Sequence, residues 1–162
     1  ARGFCMQKIP MTVSGEELLR TRLKHLKTVE RPQNINDIEV ARAHGDLSEN
    51  AEYHAAKERQ SMLDAQMREI ADKLSRAEVI DPLKLSGSRV VFGATVLLED
   101  LDSEEQVTYQ IVGSEEADPK AGRISYTSPL ARAIIGKMEG DFVDFEAPGG
   151  LREYDIIKVE FK

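Results

Sequence analysis

Between Leu63 and Ala77 the apolar residues Leu63, Met67, Ile70, Leu74 and Ala77 recur at alternating spacings of four and three. That rhythm draws one stripe down one face of a helix. The same rhythm occurs earlier, at Leu19, Leu23 and Leu26. A helix with so narrow a stripe buries little by itself. Two of them joined by a short turn cover each other, which predicts an antiparallel coiled-coil hairpin. Ser14 with Glu17 three residues later forms a capping box, the expected start of the first arm. Arg31-Pro32 should kink or restart the helix, because proline has no N–H and its ring clashes with the preceding turn. Ile35, Ile38 and Arg42 resume the stripe. Residues 12–80 therefore read as helix throughout. About thirty residues per arm at ~1.5 Å each give a rod roughly 45 Å long, with its turn exposed at the far end.

The period then changes. The segments GATVLLEDL, QVTYQIVG, GRISYT, DFVDFEA and LREYDIIKVEFK are short, β-branched or aromatic, and separated by turn residues, which predicts strands. Pro148-Gly149-Gly150 reads as the turn of a terminal hairpin. One helix interrupts the strands, with Ser128 as N-cap, Pro129 in its first position and Gly136 closing it. The expected fold class is α+β: a long antiparallel helical hairpin over residues 6–80, then a small antiparallel sheet with one short helix over 81–162. Residues 79–88 are the expected linker, and residues 1–5 are expected to precede the native start at Met6.

Composition narrows the function. The 162 residues carry a net charge of -7 with a single cysteine, Cys5, which excludes a disulfide framework and a cysteine-rich zinc site. No apolar run is long enough to span a bilayer, so a cytoplasmic protein without a membrane partner is expected. Residues 14–80 hold 11 Lys/Arg against 13 Asp/Glu, and residues 82–162 hold 9 against 15. So acidic a second half is a poor free-standing ligand for nucleic acid, whose affinity comes from counterions released onto basic side chains. Any nucleic acid this chain works on must be held by another molecule.

The turn of the hairpin, AHGDLSENAEYHAAKE (residues 43–58), has two readings. In the first, Gly45 closes one helix in a left-handed conformation, Asp46 caps the next, and Glu49 completes a capping box. In the second, Asp46, Glu49 and Glu52 crowd an exposed tip for chemistry. A hard cation such as Mg²⁺ takes oxygen ligands, often one or two carboxylates with the rest from a substrate and water. Two tip carboxylates are half of such a site. His44 and His54 have no zinc-binding spacing, and His54 is expected to pack or cap. Ser48 has no pocket for an oxyanion hole. Arg42, Lys57 and Arg59 are either a solvated face or phosphate contacts. Tyr53 either stacks on a base or packs against the opposite helix.

GDLSENAEYHAAKE at the turn, FGATV at the sheet, ISYTSPLARAIIGK and the closing APGG…YDIIKVEF together resemble the GreA/GreB family of bacterial transcript-cleavage factors. The resemblance runs from Met6 to Lys162. It implies an FKBP-like C-terminal domain docked at the rim of the RNA polymerase secondary channel, with the coiled coil inside the channel. There, Asp46 and Glu49 would help hold a Mg²⁺ shared with the polymerase active site, which hydrolyses the protruding 3′ end of backtracked RNA. The protein would thus assist hydrolysis rather than catalyse alone, and would hold no cofactor when free. Arg42, Lys57 and Tyr53 would contact the nascent RNA, with DNA of the elongation complex nearby, and Ser128 and Pro129 would grip polymerase. Lys57 stands where arginine is common in the family, which weakens a bidentate phosphate contact. A monomer is expected. SPLARAIIGKMEGD also resembles FKBP-type prolyl isomerases, so a helical-armed isomerase or chaperone is one alternative. A channel-binding inhibitor that does not support cleavage is another.

Overall fold

The computed structural model describes residues 7–46 and 50–162. They form two units: Glu17–Arg76, and the chain up to Glu16 together with Ala77–Lys162.

Helix α1 (Val13–His25) runs into a π-helical segment, Leu26–Glu30, and then α2 (Arg31–Arg42). The return arm is α3 (Ala51–Ser75). Arg31 N–H reaches back five residues to the Leu26 carbonyl, and Pro32 follows with no N–H to give. The widened turn is how this helix absorbs the proline without breaking.

The inner face of α3 keeps the predicted rhythm, with Tyr53, Ala56, Gln60, Leu63, Met67, Ile70 and Leu74 buried or half-buried. The first arm does not. Its inner positions are Leu19, Leu23, Leu26, Glu30, Asn34, Ile38 and Ala41, so spacings of four follow one another from Leu26 to Ile38. The arm holds one residue more than a four-three repeat allows, and the π segment takes up the excess. Ile35 and Arg42, expected on the stripe, are therefore exposed. Asn34 and Ala41 take their places, and Ile38 stays inside. Leu26 is fully buried against Leu63 and Met67, flanked by Leu23 and Ile70.

At the end of the π segment Glu30 joins the arms. Its Oε2 accepts from Arg22 Nη1 at 3.1 Å and meets His25 Nδ1 at 2.8 Å, while Oε1 accepts from Arg59 Nη2 at 3.1 Å. The His25 hydrogen bond, with the Arg22 and Arg59 charges, outweighs partial desolvation and holds the Glu30 carboxyl below its ordinary range.

In the other unit, β1 (Ile9–Thr12) pairs in parallel with β2 (Ala77–Ile80). Residues 77–80, expected to be helical, are thus a strand, and Ala77 leaves the stripe. The β-branched Val79 and Ile80 find a partner in β1, and α3 has already ended at Ser75. The pairing also moves the start of α1. Its first turn is capped by Thr12, whose Oγ1 accepts from Gly15 N–H at 3.2 Å, rather than by Ser14. The Glu116 carboxylate closes this corner: it accepts from Thr12 N–H at 2.9 Å, from Gly113 N–H at 3.1 Å and from the Thr12 hydroxyl.

All five predicted strands form: β3 (Thr95–Asp100), β4 (Gln106–Val112), β5 (Arg123–Ser125), β6 (Phe142–Ala147) and β7 (Gly150–Glu160). Their order is β5-β4-β3-β7-β6. The pairs are antiparallel except β4 with β5, which is parallel. The connection over residues 113–122, which includes the 3₁₀ turn Pro119–Ala121, carries the chain back beside β4. Pro148 and Gly149 turn β6 into β7, with Ala147 opposite Gly150. Helix α4 (Pro129–Ile134) buries Ala131 and Ile134 among Val96, Leu98, Ile111 and Ile156. Within the segment expected as linker, Pro82–Lys84 forms a 3₁₀ turn in which Asp81 Oδ1 accepts from Leu83 N–H at 3.0 Å.

Candidate functional site

At the hairpin turn, Arg42 ends α2 exposed to solvent. His44 N–H donates to the Ala41 carbonyl at 3.1 Å and Gly45 N–H to that of Arg42 at 3.3 Å. Gly45 has φ of 110°, the left-handed conformation expected of a residue that closes a helix. Asp46 follows, also exposed. Glu49, with Leu47 and Ser48, lies outside the described residues.

The cap of α3 is not Asp46. It is Asn50, in extended conformation, whose Oδ1 accepts from Tyr53 N–H at 3.0 Å. The other end of the same amide, Nδ2, donates to the Ala41 carbonyl of α2 at 2.7 Å. Asparagine caps as well as aspartate, and only the amide can also supply a donor to the facing helix. The cap predicted at Asp46 is thus four residues too early, while Glu49, the other half of the predicted box, lies outside the described residues. Glu52 provides the acid of the first turn, where it suits the helix dipole.

The remaining tip residues divide. Lys57 is exposed, with Nζ donating to Gln60 Oε1 at 2.9 Å. Tyr53 is half-buried, its ring edge-on to His54 with centroids 5.6 Å apart. His44 Nδ1 lies 3.5 Å from Glu52 Oε2, an ion pair when the histidine is protonated. Arg59 Nη2 lies 3.1 Å from Glu30 Oε1, an ion pair with the other arm. Among the described residues no three His, Cys, Asp or Glu side chains gather as a metal site. Asp46 does present a carboxylate of the oxygen class that Mg²⁺ takes, and one or two such ligands from a protein are its ordinary share.

In the sheet unit, Ser128 caps α4 as predicted, its Oγ accepting from Ala131 N–H at 3.3 Å, and Pro129 stands exposed in the first turn. The loop before it is tied by Ser125 Oγ and Thr127 Oγ1 at 2.7 Å, so Pro129 is presented from a braced turn.

Asn50 was the residue that spacing rules passed over. The box rule looks for Glu or Gln three positions after the cap, and Asn50 is followed there by Tyr53. The visible signal was the asparagine itself, a strong cap directly before an unbroken helical run.

Comparison with known proteins covers both units. Residues 9–79 match the family described as transcription elongation factor, N-terminal, and residues 85–161 the family described as transcription elongation factor, GreA/GreB, C-term. Transcription elongation factor GreA of Phenylobacterium zucineum is 62% identical over 156 residues, spanning 96% of this chain and 99% of that protein. GreA of Caulobacter vibrioides is 60% identical over 156 residues, with 96% and 99% covered. GreA of Neisseria meningitidis serogroup A is 57% identical over 157 residues, again with 96% and 99% covered.

Proposed function

The chain belongs to the GreA/GreB family of transcription elongation factors, and from that premise we propose that it enters the secondary channel of RNA polymerase and stimulates cleavage of backtracked RNA. That it is a transcription elongation factor rests on family membership, which does not favour the isomerase reading. The cleavage mechanism rests on the tip. The observation that carries it is Asp46, a carboxylate exposed at the turn of two long helical arms and not used as the cap of α3.

In this reading the acidic half has no need to bind nucleic acid by itself, because polymerase holds the transcript. Asp46 and Glu49 would supply carboxylate oxygens to Mg²⁺ of the polymerase active site. The ion, when bound, stabilises charge on the attacking and leaving oxygens of an in-line displacement at phosphorus. The carboxylates also orient a water by accepting its hydrogen bonds, and the hydrolysis itself is polymerase's own. Arg42 and Lys57, exposed on either side of the turn, would place the RNA 3′ end by phosphate contacts that carry no sequence preference. Tyr53 would offer its ring to a base. Ser128 and Pro129 would grip the channel rim, with the hydroxyl of Ser128 retained for capping α4.

Asp46→Asn and Glu49→Gln, assayed on stalled polymerase complexes, should each abolish stimulated cleavage while competition for polymerase stays near wild type. Excess Mg²⁺ should restore part of the lost rate. Normal cleavage by both variants would refute the mechanism.

A further inference from the structure

Two asparagines tie the arms to one another on the approach to the turn, in opposite directions. Asn34, on α2, is 2% exposed, and its Nδ2 donates to the Ala56 carbonyl of α3 at 2.9 Å. Asn50, the α3 cap, donates from Nδ2 to the Ala41 carbonyl of α2 at 2.7 Å. Each bond therefore runs from a side chain on one arm to the backbone of the other. The two acceptors belong to Ala41 and Ala56, both buried, whose short side chains let the arms come close enough for an asparagine to span them.

Apolar packing alone does not fix how two helices slide past one another, because neighbouring leucines are nearly interchangeable knobs. A buried polar group does fix it, since any slip strands a desolvated amide. Asn34 and Asn50 lie on either side of the segment that carries Arg42 and Asp46, and the apolar cluster of Leu26, Leu63 and Met67 is well back along the shaft. Near the turn the inner positions include Asn34, Ala41, Asn50 and Ala56, with Ile38 buried and Tyr53 half-buried among them.

We propose that Asn34 and Asn50 are positioning residues for transcript cleavage: a reciprocal clamp that fixes the register of the two arms and thereby holds the tip carboxylate of Asp46 in place. The inference rests on the cleavage reading above. It assigns to Asn50 a task beyond capping and to Asn34 a task that lowers rather than raises stability, since a buried amide packs less favourably than a leucine.

Two variants separate these tasks. Asn50→Ser keeps a good helix cap but is too short to reach the Ala41 carbonyl. Asn34→Leu removes the other bond and adds apolar burial. In stalled-complex assays both should lower the maximal cleavage rate at least tenfold, leave the half-saturating factor concentration within about twofold of wild type, and raise the Mg²⁺ concentration needed for half-maximal rate. In the free protein Asn50→Ser should speed amide exchange at His44 and Gly45 without changing exchange at Leu63, and Asn34→Leu should raise the melting temperature. Wild-type cleavage by either variant would overturn the clamp, as would a fall in polymerase binding that matches the fall in rate. Asp46→Asn in the same assay keeps the two ideas apart. If it cleaves normally the cleavage reading fails, whereas if it is dead while Asn50→Ser is active only the clamp fails.

Discussion

Gly15 should change the sign of its effect on stability when Glu116 is removed. Gly15 lies in the first turn of α1, and a Cβ there would sit 2.6 Å from Glu116 Cγ and closer still to the carboxylate. The carboxylate cannot swing away freely, because it accepts from Thr12 N–H, Gly113 N–H and the Thr12 hydroxyl. Displacing it orphans two backbone N–H groups on buried residues, at ~1–3 kcal/mol each. Against this, alanine in a helix gains up to about 1 kcal/mol over glycine. Gly15→Ala should therefore cost a net of about 1–5 kcal/mol in the wild-type background. Glu116→Ala should cost about 2–6 kcal/mol by the same two N–H groups. Once Glu116 is alanine the clash is gone, and adding Gly15→Ala should stabilise the chain by up to about 1 kcal/mol. The coupling, about 2 kcal/mol or more, is well above the error of a double-mutant cycle. Urea unfolding followed by far-ultraviolet circular dichroism on the four proteins measures it. Equal destabilisation by Gly15→Ala in both backgrounds would refute the argument that the Glu116 carboxylate occupies that corner.

Leu26→Ala should be among the most damaging single changes in the helical hairpin, costing about 2–5 kcal/mol, because Leu26 is fully buried against Leu63 and Met67; thermal unfolding at 222 nm reads it. Glu30→Gln should remove a pH-dependent share of stability. The Glu30 carboxyl is held below its ordinary value by His25, Arg22 and Arg59, so its contribution is complete above the unfolded carboxylate range and disappears as pH falls through the folded value. The melting temperatures of wild type and Glu30→Gln should thus differ above the ordinary carboxylate range and converge as pH falls through the lowered Glu30 value; a gap that persists into stronger acid would count against the charge network.

Strands were legible wherever burial alternates along the chain. Thr95–Asp100 places every second residue inside, and side chains on a pleated strand must point alternately to its two faces. The α4 cap was legible because Ser128, Pro129 and Gly136 are local signals that need nothing from elsewhere in the fold. The misplaced helix starts share one cause. Ser14 and Asp46 each head a capping box, yet the observed caps are Thr12 and Asn50. Thr12 is set by the pairing of β1 with residues 77–80 and by Glu116, and Asn50 by its bond to Ala41 on the other arm. Local rules rank caps by side chain, whereas the fold chooses the one that also satisfies a distant group. The shifted stripe of the first arm has a similar origin: a π turn is defined by a backbone bond five residues back, which no hydrophobic count reveals.

Moving the cap from Asp46 to Asn50 also changes what the turn can be for. Had Asp46 been the cap of α3, the start of that helix and the chemistry proposed for the tip would have depended on one side chain. With Asn50 as the cap, the chain between α2 and α3 extends over residues 43–50, at the long end of what joins two packed helices. The two bonds of the Asn50 amide anchor the start of α3 to both arms. Asp46, four residues earlier, stands outside that helix start. Substitutions at Asp46 should therefore leave the Asn50 cap of α3 in place.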